Sequence, residues 1–329
     1  MLETTMETLR RRPYLFAAGL TALLLIANLL AEPGFADHDN WPRQLATMAP
    51  LVLVALASTP SVLSGGGGLD LSIGPLAVLC NVLLAQSLLS HGVTSPVLGI
   101  LIVIGVGTAV GAINGVLVGV FRYQPVIATL CATFVIIGIN LKIGLPPENV
   151  PDNWTEDLIG NVGGIVPGAV LLVGAPLLAW WLLSRTVFIT NLYSVGGNDV
   201  TAYSAGVSVP KVRVAAYSLG GAIAACGGIA LTVLTQSSQA QSTSFYILIG
   251  LTALALGGTQ LGGGRGGMTG SFFGGCALYL MQTLLSALDV PANWINVVFG
   301  ALLLIGVLLG AKVATSKAAP TPQTSGASS

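Results

Sequence analysis

The sequence predicts an all-α, polytopic integral membrane protein with about ten transmembrane helices, and three observations support this fold class. Hydrophobic residues make up 53% of the 329 residues and charged residues only 7%, whereas soluble domains are about 25% charged. Apolar runs near the roughly 20 residues that a bilayer crossing needs recur along the chain. Glycine is abundant, at 43 residues, as expected where helices pack closely in lipid. A water-soluble fold is therefore excluded.

The apolar runs define ten candidate spans in chain order. The first follows three consecutive arginines and is interpreted as a retained span, because it is about 18 residues long and lacks a clear small-x-small cleavage site. The eighth is short for a crossing helix. The candidate spans are 14–31, 44–63, 74–91, 96–120, 125–145, 164–184, 211–235, 245–258, 268–288 and 292–311. We therefore expect residues 1–312 to form the transmembrane domain and residues 313–329 to form a disordered cytoplasmic tail.

The distribution of basic residues predicts the orientation. With a cytoplasmic N-terminus, ten of the twelve basic residues fall in inner segments, leaving Arg43 outside and Lys142 near the outer end of its span. This asymmetry satisfies the positive-inside rule with both termini in the cytoplasm and an even number of spans. The sequence therefore predicts a multi-pass membrane protein with both termini on the cytoplasmic side.

The longest inner loop contains a polar segment, Tyr193–Tyr217, within an otherwise apolar sequence. Its two adjacent glycines predict a sharp turn, Asn198 or Asp199 can cap a helix, and Pro210 ends a short helix. Small residues and one amphipathic tyrosine suit a surface that another protein grips, although an ordinary surface connection is the alternative. The candidate contact residues are Gly196, Gly197, Asn198, Asp199, Ala202, Tyr203 and Gly206.

Glycines recur every four residues along two spans, which places them on one helix face and predicts close helix packing. They are Gly107, Gly111, Gly115 and Gly119 in the fourth span and Gly266, Gly270 and Gly274 in the ninth. Two glycine-rich inner segments, 64–74 and 257–267, predict irregular backbone, which is tolerated where it is buried in protein or faces a water-filled cavity.

Two polar residues near these glycines, Asp70 and Asn114, are candidates for a translocation pathway. Asp70 either polarises a cavity or caps the following helix, and the cap is favoured. Asn114 either lines a pathway or bonds a neighbouring helix, and the packing role is favoured. Arg265 lies in the second glycine-rich segment.

The sequence contains no group of residues with the spacing of a catalytic or metal-binding site. The cysteines are widely separated and lie in apolar stretches without a CxxC pattern. We expect them to be small buried hydrophobic residues: Cys80, Cys131, Cys226 and Cys276. The phosphate-loop pattern GxxxxGK[ST] is absent. Ion-driven carriers place ionisable residues within their spans, and here only Lys142 near a span end and Asp70 beside a span qualify. Transport by this chain would therefore be driven by a partner.

Several segments together resemble the permease subunits of bacterial ABC importers for ribose, arabinose, xylose and related sugars. The resemblance covers about residues 45–311 and is carried by GGLDLSIG, GAINGVLVG, QPVIATLCATF, SVGGNDVTAYSAGVSVPKV and ALGGTQLGGGRGGMTGSFFG. It implies that residues 196–208 contain the coupling helix that contacts an ATPase. It also implies that the glycine-rich inner segments, with Asp70 and Arg265, lie near the translocation pathway, and that the protein is located in the bacterial cytoplasmic membrane. The family often has two alanines and then a basic residue in this helix, where this chain has Thr201, Ala202 and Tyr203.

The resemblance also implies the partners. We expect a dimer of this or a paired permease subunit, two cytoplasmic ATPase subunits and an external solute-binding protein, with no cofactor on this chain and ATP and Mg²⁺ on the ATPase. The alternative is a self-sufficient secondary carrier or channel for a small polar solute, and a membrane enzyme or scaffold is a third class. The sequence does not identify the solute.

Overall fold

The computed structural model describes residues 14–89, 91, 93, 95–150, 161–162, 166–291 and 293–315, and within these residues the fold is helical. The α-helices are α1 (Tyr14–Ala31), α2 (Trp41–Leu63), α3 (Ile73–Val82), α4 (Pro96–Gly119), α5 (Pro125–Ile143), α6 (Gly168–Leu183), α7 (Val187–Gly197), α8 (Asp199–Ser204), α9 (Val209–Thr235), α10 (Thr243–Leu256), α11 (Met268–Ala287) and α12 (Asn293–Thr315). The all-α prediction is confirmed.

Short elements complete the description. Two 3₁₀ turns, Pro33–Ala36 and His38–Asn40, join α1 to α2, and α3 continues as π-helix over Leu83–Leu89. The two-residue strands β1 (Asn161–Val162) and β2 (Val166–Pro167) pair antiparallel before α6.

Each of the ten predicted apolar segments forms a helix at its predicted place. Among the described residues, five helical segments are individually long and apolar enough to cross a membrane: Tyr14–Ala31, His38–Leu63, Val97–Gly119, Pro125–Ile143 and Val209–Thr235. A sixth candidate is the pair α6 and α7, which are bent by 86° relative to each other. The protein is therefore a multi-pass membrane protein, and crossing by the shorter helices remains a prediction.

The short eighth span, observed as α10, is 14 residues long, or about 21 Å at 1.5 Å per residue. It continues into the second glycine-rich segment, whose backbone is irregular. In this segment Gly257 and Thr259 are buried, Gly262 and Arg265 are exposed, and the remaining residues are half-buried.

Helix α9 lies at the centre of the fold, packed against α2, α3 and α4. Large apolar side chains on outer helices are instead exposed, as for Leu30 of α1 and Phe134 of α5. An apolar exterior around a packed interior is typical of a protein solvated by lipid. Cys131 on α5 belongs to this exterior and is exposed, contrary to prediction, whereas Cys80 and Cys276 are buried and Cys226 is half-buried.

The glycine face of α4 packs directly on α9. A Cβ atom on Gly111 would collide with the Tyr217 carbonyl oxygen, and one on Gly115 would lie 2.7 Å from the Val214 Cα. On α11, Gly270 and Gly274 make equally close contact with the backbone of α10 and the residue after it. These contacts support the packing prediction, except that Gly266 precedes α11 and lies against Thr259 with φ +114°.

Some predictions concern residues outside the described ranges. These include the three N-terminal arginines (Arg10, Arg11 and Arg12) and most of the predicted tail. Helix α12 extends to Thr315, three residues into that tail.

Candidate functional site

The candidate coupling helix is α8, six residues long and shorter than the two to three turns predicted. It begins after Asn198, whose backbone is extended and whose side-chain Oδ1 accepts a bond from the Thr201 backbone N–H at 2.9 Å. This is an N-cap, which satisfies one of the free amides of the first turn. The capping prediction is thus confirmed for Asn198, whereas Asp199 is the first helical residue.

The sharp turn predicted at Gly196 and Gly197 is wrong, because both residues belong to the last turn of α7. Gly196 instead permits close backbone contact. A Cβ atom there would collide with the Leu63 carbonyl oxygen and lie 2.6 Å from the Gly264 nitrogen. Glycine is required at this position by its neighbours, a reason that the local sequence did not reveal.

Gly196 lies where three segments meet, which we call the glycine junction: Gly65, Gly196, Gly263 and Gly264. A Cβ on Gly65 would lie 2.6 Å from the Gly196 Cα, and one on Gly264 would lie 2.6 Å from the backbone nitrogen of Gly197. The Gly264 N–H donates to the Leu63 carbonyl at 3.3 Å. The helix that precedes α8 is thereby packed against both glycine-rich segments without intervening side chains.

One face of α8 is anchored to the protein and the other is exposed. Ala202 is buried in a cluster with Leu63 at the end of α2, Leu192 of α7 and Ala216 of α9. Val200 and Tyr203 point outward, with 72% and 70% of their surface exposed. The exposed apolar surface of α8 is therefore formed by Val200, which the sequence analysis did not single out, together with the predicted Tyr203.

Gly206 closes the turn after α8. Its backbone N–H donates to the Tyr203 carbonyl at 2.9 Å, and its φ is +85°, a conformation that favours glycine. A Cβ atom there would meet no other atom within 4 Å. Within this chain the backbone conformation, and not a close packing contact, therefore requires glycine at position 206, and its contact with a partner stays a prediction.

An ion pair joins α8 to α9. The Arg213 Nη2 lies 3.1 Å from the Asp199 Oδ2, with the arginine side chain largely buried and the aspartate about half exposed. The guanidinium lies close to Gly66, where an added Cβ would be 2.7 Å from Nη2. Sequence reasoning used Arg213 only as a topology marker, because its contacts span distant parts of the chain.

Asp70 and Asn114, two of the three pathway candidates, lie in one buried network. The Asp70 Oδ1 accepts bonds from the Ser72 backbone N–H at 2.9 Å and from its hydroxyl at 2.6 Å. The Asn114 amide donates to the same hydroxyl at 2.8 Å. Ser72, rather than Asp70, occupies the N-cap position of α3, so Asp70 forms a turn before the helix. Asn114 thus donates a hydrogen bond to a neighbouring segment, which is the role that the sequence analysis favoured.

Burial dominates the electrostatics of Asp70, which lies in the connection between α2 and α3. Desolvation raises the pKa of its carboxyl to about 6, and the two bonds from Ser72 partly oppose this change. Arg265, the third candidate, is exposed, and its backbone carbonyl accepts from the Gln260 N–H at 3.0 Å. Within the described residues Arg265 is not part of the Asp70 network.

Comparison with known proteins identifies the family. Residues 43–307 match the model of the branched-chain amino acid transport system / permease component family. The chain is 35% identical to the ribose import permease RbsC of Bacillus subtilis over 298 residues, covering 89% of this chain and 91% of the relative.

More distant relatives also match over most of their length. RbsC of Escherichia coli K12 is 29% identical, with 94% of this chain and 99% of the relative covered. The autoinducer 2 import system permease LsrC of Escherichia coli is 30% identical, with 87% of this chain and 84% of the relative covered. No solved structure matches the chain. The family match and the B. subtilis relative together show that the chain belongs to the branched-chain amino acid transport system / permease component family.

Proposed function

We propose that this chain is the membrane permease of an ATP-driven importer for a monosaccharide or a similarly small, polar solute. The family is that of transport permeases, and the relatives named above are import permeases for ribose and autoinducer 2. A self-sufficient carrier or channel is disfavoured by this membership. In this proposal the chain contributes the pathway, and a separate cytoplasmic ATPase binds ATP and Mg²⁺ and supplies the driving force.

The proposed ATPase contact rests on the difference between the two faces of α8, one packed against the protein and one exposed. Its inner side is fixed by Ala202 and by the Asp199–Arg213 ion pair. Its outer side presents Val200 and Tyr203, which are more than two-thirds exposed although apolar or amphipathic. Aromatic side chains that project from a rigid support are common anchors in protein interfaces. A movement imposed on Tyr203 would be passed to α2, α7 and α9 through their contacts.

The remaining partners complete the proposal. An external solute-binding protein would deliver the solute to the outer ends of the helices, and a second permease subunit would complete the pathway. In this proposal α8 and both termini lie on the cytoplasmic side of the inner membrane, as the positive-inside distribution of basic residues predicts. Recognition of the solute would rest mainly with the binding protein.

The test is a charge placed on the proposed contact. Tyr203→Glu should reduce co-purification with the partner ATPase and abolish ATP-dependent uptake of the transported solute, because an uncompensated charge in a desolvated contact is strongly unfavourable. Folding should be unaffected, since the Tyr203 side chain is exposed.

The matched control is Tyr123→Glu, in another predicted inner connection. Tyr123 is 57% exposed and contacts Phe121, so the same substitution is made on a comparable surface outside α8. The control should retain ATPase binding and uptake. Equal losses in both variants, or full assembly and uptake in Tyr203→Glu, would contradict the assignment of α8 as the ATPase contact.

A further inference from the structure

Unpartnered buried polar atoms concentrate in one region beside α9. Among the described residues, four buried side-chain atoms lack a hydrogen-bond partner, and three of them are Asp70 Oδ2, Arg213 Nε and Tyr217 OH. Folded proteins leave few such atoms unsatisfied, and each one requires an explanation. Three in one region show that its side chains have hydrogen-bonding capacity that this arrangement does not use.

The backbone brings the three groups together. Arg213 and Tyr217 are four residues apart on α9, so their side chains lie on the same helix face. The Tyr217 Cβ would lie 3.2 Å from a Cβ atom on Gly115 of α4. The neighbouring residue Asn114 donates to the Ser72 hydroxyl, which in turn donates to Asp70. The Arg213 guanidinium also lies close to Gly66, four residues before Asp70 in the same connecting segment. Arg213 therefore has Asp199 as its present partner and Asp70 as a nearby second acid.

The open hydrogen-bonding positions are chemically complementary. The Arg213 Nε can only donate and a carboxylate Asp70 Oδ2 can only accept, while the Tyr217 hydroxyl can do both. In the present arrangement Arg213 contacts Asp199 through Nη2 alone. A rotation of the arginine side chain toward Asp70, with Tyr217 bridging or flanking the new pair, would satisfy all three open atoms.

We propose that Arg213 exchanges partners during the transport cycle, binding Asp199 in the conformation described here and Asp70 in the alternate conformation. This inference rests on the proposed function, because the exchange would connect movement of α8 to the segment between α2 and α3. That segment includes Gly65 of the glycine junction. Arg213 is thus a positioning residue for coupling, with no contact to the solute required.

Two features favour an exchange over a permanent structural bond. Asp199 is about half exposed, and ion pairs at such positions contribute little stability and are easily broken. Asp70 is 5% exposed, so its carboxylate gains a partner but loses no further solvent when Arg213 approaches. Leaving Asp199 therefore costs little, and the buried Asp70 offers a second partner, so Arg213 has the two alternative arrangements that a two-state element requires.

The test compares Asp199→Asn with Asp70→Asn, which remove one negative charge each with little change in shape. Cysteines that carry spin labels replace Ser204 and Phe121, which are both exposed. The labels report the distance between α8 and the connection after α4. The background chain has Cys131 replaced by Ser, so that this exposed cysteine is not labelled. Labelled chains are diluted with unlabelled ones so that only distances within one chain contribute. The relative populations of the two distances are measured in lipid nanodiscs.

The exchange predicts population shifts of opposite sign. Asp199→Asn should favour the alternate distance by about 1.4- to 5-fold, the size expected from loss of one weak, half-exposed ion pair. Asp70→Asn should favour the original distance by at least as large a factor, because the pair that it removes is buried. Tyr217→Phe should shift the population in the same direction as Asp70→Asn. In an Arg213→Gln background both acid substitutions should lose their effect, and Asp39→Asn in the predicted outer connection should change nothing.

Shifts of the same sign in the two acid variants, or no shift in folded protein, would overturn the exchange. Asn at position 70 can still accept the bonds from Ser72, and Tyr217→Phe provides an independent test that leaves Asp70 intact. The measurement needs no ATPase, so it is separable from the proposed function. Failure of the parent chain to co-purify with the ATPase would refute the proposed function, whatever the spin-label result.

Discussion

Gly111→Ala tests whether the glycine face of α4 packs against α9 or lines the pathway. The added Cβ would collide with the Tyr217 carbonyl oxygen and lie 3.2 Å from the Gly221 Cα. Carbon atoms prefer about 3.5–4.0 Å, so the two helices would need to separate by roughly 1 Å. Overpacking of this kind costs about 1–3 kcal/mol, and better helix propensity returns about 0.5–1 kcal/mol.

The expected net destabilisation is therefore about 1–2 kcal/mol, a roughly 5- to 30-fold change in the ratio of folded to unfolded protein. The assay is the temperature at which half of the purified protein loses its monodisperse peak in size-exclusion chromatography. The matched control is Gly105→Ala in the same helix, because a Cβ at Gly105 meets no other atom within 4 Å. The control should keep or raise the parent's midpoint.

The packing account would be refuted if Gly111→Ala and Gly105→Ala had the same midpoint. It would also be refuted if the larger substitution Gly111→Leu folded normally and transported a different solute, since that face would then line the pathway. Reduced folded yield with unchanged solute preference in the remaining protein agrees with packing.

Two further predictions concern orientation and the α8 cap. A cysteine at Asp39 should react with a membrane-impermeant maleimide from outside the cell and one at Ser204 only after permeabilisation, whereas outside labelling at 204 would reverse the topology. Asn198→Ala removes the bond to the Thr201 amide, worth about 0.5–2 kcal/mol, so hydrogen exchange of that amide should accelerate roughly 2- to 30-fold. Asn198→Asp retains the acceptor and should exchange like the parent, and equal rates in all three proteins would contradict the capping role.

Composition was sufficient to predict the fold class and the positions of the helices. Runs of apolar residues must be helical in lipid because their backbone groups have no water to bond, and each predicted run from 14–31 to 292–311 contains a helix. The 86° bend between α6 and α7 was not predicted. It follows a short break at Ser184–Thr186, which carries no proline or glycine to mark it.

The candidate site was predictable where its chemistry is local. Asn198 caps the helix that follows it, so three residues of sequence contain the whole interaction. Gly196 was misinterpreted as a turn because its requirement for a small side chain comes from Leu63 and Gly264, which are far away in the sequence. Gly206 was assigned to the surface that a partner contacts, which stays a prediction, whereas its positive φ could not be read from the local sequence.

Polar contacts that depend on the fold could likewise not be predicted from the local sequence. Asp199 and Arg213 are close in the chain, yet their pairing depends on the turn between α8 and α9. The bond from Asn114 to Ser72 joins residues 42 positions apart. Residue types alone made Asp70 and Asn114 candidates, and only the fold shows that both are buried and bonded to Ser72.

Site-specific photo-crosslinking from α8 tests the central claim most directly. A photoreactive amino acid replaces Val200, which is 72% exposed on α8, or Leu288, which is 60% exposed in the predicted outer connection after α11. Cells that express the whole transporter are then irradiated. The account predicts an adduct with the ATPase subunit from position 200 and none with that subunit from position 288. An ATPase adduct from position 288, or none from position 200 in cells that still import the solute, would contradict it.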